Sequence, residues 1–169
     1  EEIKRLVNKK DRYWLVKFHP KMNPEWIALY QQIKSNNFQI IDKDTALPLL
    51  KRADIMLSDT SSMVGEFLLL NKPVVTSNNA APGDYLININ ESNQLETALE
   101  KALTAPPSLL AAISEYREKL HPFFDGRSAE RILQAVMQAN RSANTPAKKL
   151  PNNWFRNLKL RKRLGYWKL

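Results

Sequence analysis

Five short runs of apolar, β-branched and aromatic residues recur along this chain, and a helix-like segment follows each of them. The runs cover residues 13–18, 38–41, 54–58, 72–76 and 85–89. Runs of this length and make-up suit buried strands. Strands that alternate with helices pair in parallel, because each helix returns the chain to the same edge of the sheet. The helical segments carry their own signals. Asn23-Pro24-Glu25 reads as a cap, a first-turn proline and an acid at the positive end of a helix, with Trp26, Ile27, Tyr30 and Ile33 as its apolar face. A short helix is expected over 46–52. Met63, Val64, Phe67 and Leu68 share one face of the next, which ends near Asn71. Leu95, Ala98, Leu99, Ala102 and Leu103 mark another helix. Leu109, Leu110, Ile113 and Tyr116 mark one set off by Pro106-Pro107, and Ala129, Ile132, Leu133, Val136 and Met137 mark a last one. The expected class is α/β: a Rossmann-like parallel sheet with helices on both faces.

Several function classes drop out on composition. A chain of 169 residues buries a core without staples, and it has no cysteine, so disulfide scaffolds, thiolate zinc sites and cysteine nucleophiles are excluded. Two histidines do not make a histidine-built metal site, and no cofactor or structural metal is expected. No run approaches the roughly 20 apolar residues of a membrane span. The first residues, Glu1-Glu2-Ile3-Lys4-Arg5, show neither a starting Met nor a signal peptide and read as the inside of a helix, as in an excised piece of a longer protein.

The formal charge of +9 is confined to one end. Residues 1–140 balance, whereas residues 141–169 carry nine basic side chains and no acid. The body therefore gives no electrostatic reason to expect nucleic acid, and the tail suits an anionic surface. The expected organisation is a Rossmann-like α/β domain over 1–140, a linker over 141–153 and a basic, aromatic end segment over 154–169.

In open parallel sheets ligands sit at the carboxyl ends of the strands. Two motifs fall there: His19-Pro20 and Asp59-Thr60-Ser61-Ser62. After the second a helix begins. Its first amides lack internal partners and its dipole adds about half a positive charge, so with the Ser61 and Ser62 hydroxyls they form a seat for a phosphate or pyrophosphate. Glu66 lies one turn on from Ser62, placed to accept from ribose hydroxyls. The same pattern also fits a plain serine cap with a solvated Glu66. His19 can donate to phosphate oxygens or take a proton, or it can bond to its own loop. His121 ends a helix, where interaction with the helix terminus accounts for it. Asp125-Gly126-Arg127-Ser128 reads as a tight turn with Ser128 as cap, Arg127 serving as a phosphate partner or as a surface residue. There is no P-loop, no GxGxxG and no Ser-His-Asp set.

In order, His19-Pro20, the segment from Ala53 to Ser62, Glu66-Phe67, Asn71-Lys72-Pro73-Val74-Val75 and the segment from Asp125 to Ile132 resemble the C-terminal half of the CDP-glycerol glycerophosphotransferases, over about residues 13–139. The resemblance implies the nucleotide-donor half of a GT-B fold. It also implies transfer of glycerol phosphate, or a related polyol phosphate, from a CDP-linked donor to a teichoic-acid-like or capsular polymer on the bacterial cell surface. It implies that His19, Ser61 and Ser62 bind the donor pyrophosphate, with His19 as the catalytic residue. Asp59, Thr60 and Glu66 would shape the loop and hold the ribose, and Arg127 and Ser128 would lie near the phosphates. The family's other catalytic histidine belongs to an N-terminal half, so the chain alone is expected to be inactive. The loop 78–84 matches nothing in the family pattern.

Two further readings stay open. The same half-fold serves nucleotide-sugar glycosyltransferases and UDP-N-acetylglucosamine 2-epimerases, although Ser61-Ser62 stands where those commonly place glycines. The chain also fits a non-catalytic module that binds a membrane surface. Trp154, Phe155, Leu158, Tyr166 and Trp167 interleave with Arg156, Lys159, Arg161, Lys162 and Arg163, a pattern suited to an anionic bilayer or to packing on another domain. A cytoplasmic location, peripheral at the inner face of the membrane, is the corresponding expectation.

Overall fold

The computed structural model describes residues 1–41, 46–142 and 153–165. The chain forms two compact units, Glu1–Phe124 and Asp125–Leu169. The first contains α1 (Glu2–Asn8), β1 (Trp14–Val16), α2 (Pro24–Gln31), β2 (Phe38–Ile40), α3 (Ala46–Arg52), β3 (Met56–Ser58), α4 (Ser62–Leu68), β4 (Val74–Ser77), β5 (Ile87–Ile89), α5 (Leu95–Thr104) and α6 (Pro107–Leu120). The second contains α7 (Ser128–Ser142) and α8 (Trp154–Leu164). The class is the α/β one expected from the alternation, with parallel sheets flanked by helices. Most of the linker expected over 141–153 lies outside the described residues, as do Tyr166 and Trp167.

All five expected strands form, and every pairing is parallel. The ladders make two sheets: β1 with β2, and β3-β4-β5 with β4 in the middle. The apolar core belongs to the three-stranded sheet. Val74, Val75, Ile87 and Ile89 from the strands meet Val64, Phe67 and Leu68 of α4, Leu95, Ala98, Leu99 and Ala102 of α5, and Leu109 and Ile113 of α6. Leu6 of α1 joins this cluster. Lys9, which closes α1, and Arg5 within it also pair with Glu96 of α5, whose carboxyl they hold below the usual range.

The two-stranded sheet is packed differently from expectation. Residues 13–18 read as a buried strand, yet Tyr13 and Leu15 are exposed and Trp14 is only half-buried. Among the described residues, the Leu15 side of β1 faces outward. Helix α2 starts as expected: the Asn23 side chain accepts the Glu25 N–H, and Pro24 occupies the first turn. It buries no residue, however. Trp26 is 56 % exposed, and the helix ends at Gln31, before Ile33. Tyr30 is the residue that packs, edge-on to Phe18 and stacked on Phe38.

Helix ends follow local chemistry. Asn71, in the left-handed region at φ 57°, terminates the α4 turn, and Lys72-Pro73 then leads into β4. The Lys72 ammonium donates to the carbonyls of Lys51 and Ala53 at 2.6 Å, sealing the end of α3.

Candidate functional site

The carboxyl edge of the three-stranded sheet is built from three loops at one level. Ser58 lies beside Thr76, and Thr76 beside Asn88. The chain leaving β3 at Ser58 therefore runs beside the chain leaving β4. Asp59 and Thr60 are exposed in the first of these loops. Ser61 has extended backbone (φ −137°, ψ 143°) and caps α4, its hydroxyl accepting the Met63 N–H at 3.3 Å.

The sequence fixes how α4 presents itself. Val64, Phe67 and Leu68 are buried against the sheet, which turns the opposite side of the helix outward. Ser62 and Glu66 lie on that outer side, both exposed and one turn apart. Gly65 faces α6, where a side-chain carbon would stand at ordinary contact distance, 3.5 Å, from Leu120. The helix N-terminus is thus held at the carboxyl edge by its apolar face, with Ser62 and Glu66 exposed, while the Met63 and Val64 N–H groups donate to the Ser61 hydroxyl and carbonyl.

The two serines differ in what they already do. Ser61 Oγ is engaged as the cap, whereas Ser62 is the first residue of the helix and does not perform that task. His19 follows β1 by three residues and is exposed. Its Nδ1 accepts the Lys21 N–H at 3.1 Å, and its carbonyl accepts the Met22 N–H. That bond fixes the tautomer, because an Nδ1 that accepts leaves the neutral ring's proton on Nε2. The ring therefore offers one N–H donor outward.

The last motif forms a self-contained arrangement in the second unit. Gly126 takes φ 74°, as the turn requires. The Asp125 carboxylate accepts from the Arg127 N–H and from the Arg131 guanidinium, which together hold it well below the ordinary range. Arg127 forms a two-bond pair with Glu130 at 2.8 and 2.9 Å. Ser128, the expected cap, is instead the first helical residue. The Arg127 carbonyl takes the first helical bond, from Arg131 N–H, and the Asp125 carboxylate accepts the Arg127 N–H in the turn before the helix. His121 closes α6 and stands edge-on to Phe124.

Sequence reasoning missed one polar feature of the carboxyl edge. Thr76 is fully buried, and its hydroxyl donates to the Asn88 Oδ1 at 3.0 Å. The signal was present: Asn88 interrupts Ile87-Asn88-Ile89 at a position where a strand residue faces the opposite side from its neighbours.

Residues 2–138 match the family model described as CDP-Glycerol:Poly(glycerophosphate) glycerophosphotransferase. No curated protein and no solved structure matches the chain.

Proposed function

Because this chain belongs to the CDP-glycerol:poly(glycerophosphate) glycerophosphotransferase family, we propose that it is the donor-binding domain of an enzyme that moves glycerol phosphate, or a related polyol phosphate, from a CDP-linked donor to a growing polymer. The observation that carries this reading is the family match across residues 2–138. The start of α4 at the carboxyl edge of β3, with Ser62 exposed, supports it, because that is where a parallel sheet receives a phosphorylated ligand. The polymer is a teichoic-acid-like or capsular product, made at the inner face of the cell membrane.

In the proposed reaction an acceptor hydroxyl attacks the β-phosphorus of CDP-glycerol in line with the bridging oxygen. The new O–P bond forms as the bond to that oxygen breaks, and CMP leaves with the electron pair. The acceptor proton passes to a base supplied by the N-terminal half that the family pairs with this domain. The positive end of the α4 dipole, the Ser62 hydroxyl and the His19 Nε2–H stabilise charge growing on the pyrophosphate. Ser61 holds the helix start in place. Asp59, Thr60 and Glu66 shape the ribose side; Arg127 and Ser128 belong to the second unit, where Arg127 pairs with Glu130. Positioning and electrostatics of this kind carry phosphoryl transfer with little covalent help.

The membrane partner rests on α8. It bears five cations and no acid, and its aromatic residues Trp154 and Phe155 are exposed, Phe155 by 80 %. Cations with exposed aromatics favour an anionic bilayer surface. No helix among the described residues is long and apolar enough to cross a membrane.

Transfer of labelled glycerol phosphate from CDP-glycerol by the full-length protein tests the activity. Ser62→Ala is expected to cost roughly tenfold or more in rate while the protein stays folded. Unchanged transfer by both Ser62→Ala and His19→Ala would remove these residues from the site.

A further inference from the structure

The loop 78–84 at the carboxyl edge carries none of the motif residues named above, and it is tied at both ends. The Asn78 N–H extends the β4-β5 ladder by donating to the Ile89 carbonyl at 2.8 Å, while Asn78 itself turns at φ 51°. The next amide, Asn79 N–H, donates to the Asn88 Oδ1 at 3.0 Å. The same oxygen receives the buried Thr76 hydroxyl, so a single side-chain oxygen joins β4, β5 and the loop. A backbone N–H can only donate, so the Asn88 amide has one possible orientation, and its Nδ2 then donates to the Asn90 Oδ1 at 3.2 Å. The Asn79 side chain in turn accepts the Ala81 N–H.

The far end of the loop is tied as well. Tyr85 stacks on Tyr116 of α6 with ring centres 3.8 Å apart. Gly83 passes so close beneath the Tyr85 ring that a side-chain carbon would sit 2.3 Å from it. Between these anchors Asn78, Ala80, Ala81, Pro82 and Asp84 are exposed. A loop fixed at both ends with an exposed crest is built to present a surface of set shape.

Its location decides what that surface faces. The pairing of Ser58 with Thr76 places the chain after β4 beside the chain after β3, which holds Asp59, Thr60, Ser61 and Ser62. We infer that Asn88 is a positioning residue of the donor site, holding the loop 78–84 as a fixed wall beside the α4 N-terminus. This inference rests on the donor-site reading proposed above. Asn88 touches no substrate; it acts through the Asn79 amide.

The test is binding of CDP to the full chain, followed by calorimetry, together with amide exchange at Asn79 and Ala81. Asn88→Ala is expected to speed exchange at both amides and to weaken CDP binding about tenfold. Asn88→Asp keeps the oxygen that accepts from Thr76 and Asn79, and is expected to restore binding to within about threefold of wild type. Thr76→Val removes one donor to that oxygen and serves where Asn88→Ala folds poorly, with loss in the same direction. Leu109→Ala, a core variant on α6, is expected to lower the melting temperature without moving the CDP affinity. Faster exchange in Asn88→Ala with unchanged CDP affinity would overturn the inference and leave the donor site standing. Affinity lost equally in Leu109→Ala would reduce Asn88 to a purely structural role. Failure of the wild-type chain to bind CDP would bring down the donor-site reading and this inference with it.

Discussion

Ser61 and Ser62 are neighbours with different work, and the difference is measurable. Ser61 caps α4, so Ser61→Ala should cost about 1 kcal/mol in a urea titration. Ser62 has no such role, and Ser62→Ala should leave stability within about 0.5 kcal/mol while lowering CDP affinity. The sequence made both serines visible as one motif but did not divide their roles, because only backbone angles tell a cap from the residue after it. Lys72 is a case that sequence reading passed over. It looks like part of a turn before a strand, yet its ammonium closes the end of α3. Lys72→Met should cost roughly 1–2 kcal/mol, because carbonyls at a helix end lose a charged donor. A smaller loss, below a few tenths, would mean water replaces the ammonium freely. Asp125 gives a pH signature. Its carboxyl is depressed by Arg131 and by the Arg127 N–H, so its contribution is complete above the ordinary carboxylate value. That contribution fades as pH falls below about 4 toward the depressed value. Protection of the Arg127 amide, measured against its intrinsic exchange rate, should therefore fall on acidification, and Asp125→Asn should remove the dependence. The effect should shrink in high salt, since the groups are exposed.

At the scale of elements, the strands and most helices were legible because period and composition agree with the final burial. Helices α4 and α5 read clearly, since their apolar faces do meet the sheet. Helix α2 read equally clearly at its cap but not at its face: Trp26 and Leu29 are exposed, and periodicity alone does not say whether an apolar stripe has a partner. The same holds for α7, where Ile132, Leu133, Val136 and Met137 form a stripe and all remain exposed. Between α5 and α6, Ala105 sits at φ 42° as a left-handed helix terminus, a position that favours glycine. Ala105→Gly should therefore raise stability by roughly 0.5–1 kcal/mol, read from the denaturation midpoint. A drop instead would show that relief of the strained backbone is outweighed by the flexibility glycine adds to the unfolded chain.

For the whole molecule, charge and fold have separate locations. The electrically balanced part coincides with the family-matched residues, and the excess positive charge lies beyond them in 141–169. Liposomes containing phosphatidylglycerol should sediment the full chain, and removal of residues 141–169 should abolish this at physiological salt. Equal binding by both forms would place the membrane contact elsewhere. The parallel α/β class was legible in the sequence because short apolar runs alternate with capped helices. Division of the ladder into two sheets was not, since strand registers depend on contacts distant in sequence.

The central claim is a cytidine-diphosphate donor site at the carboxyl edge of β3, β4 and β5. The most direct measurement is a calorimetric titration of the chain with CDP-glycerol, CDP-ribitol, CDP, UDP and UDP-N-acetylglucosamine, repeated on the Ser62→Ala variant after circular dichroism confirms its fold. The account predicts selective binding of the cytidine compounds by the wild type and weaker binding by the variant. Preference for the uridine compounds, or cytidine binding untouched by Ser62→Ala, would contradict it.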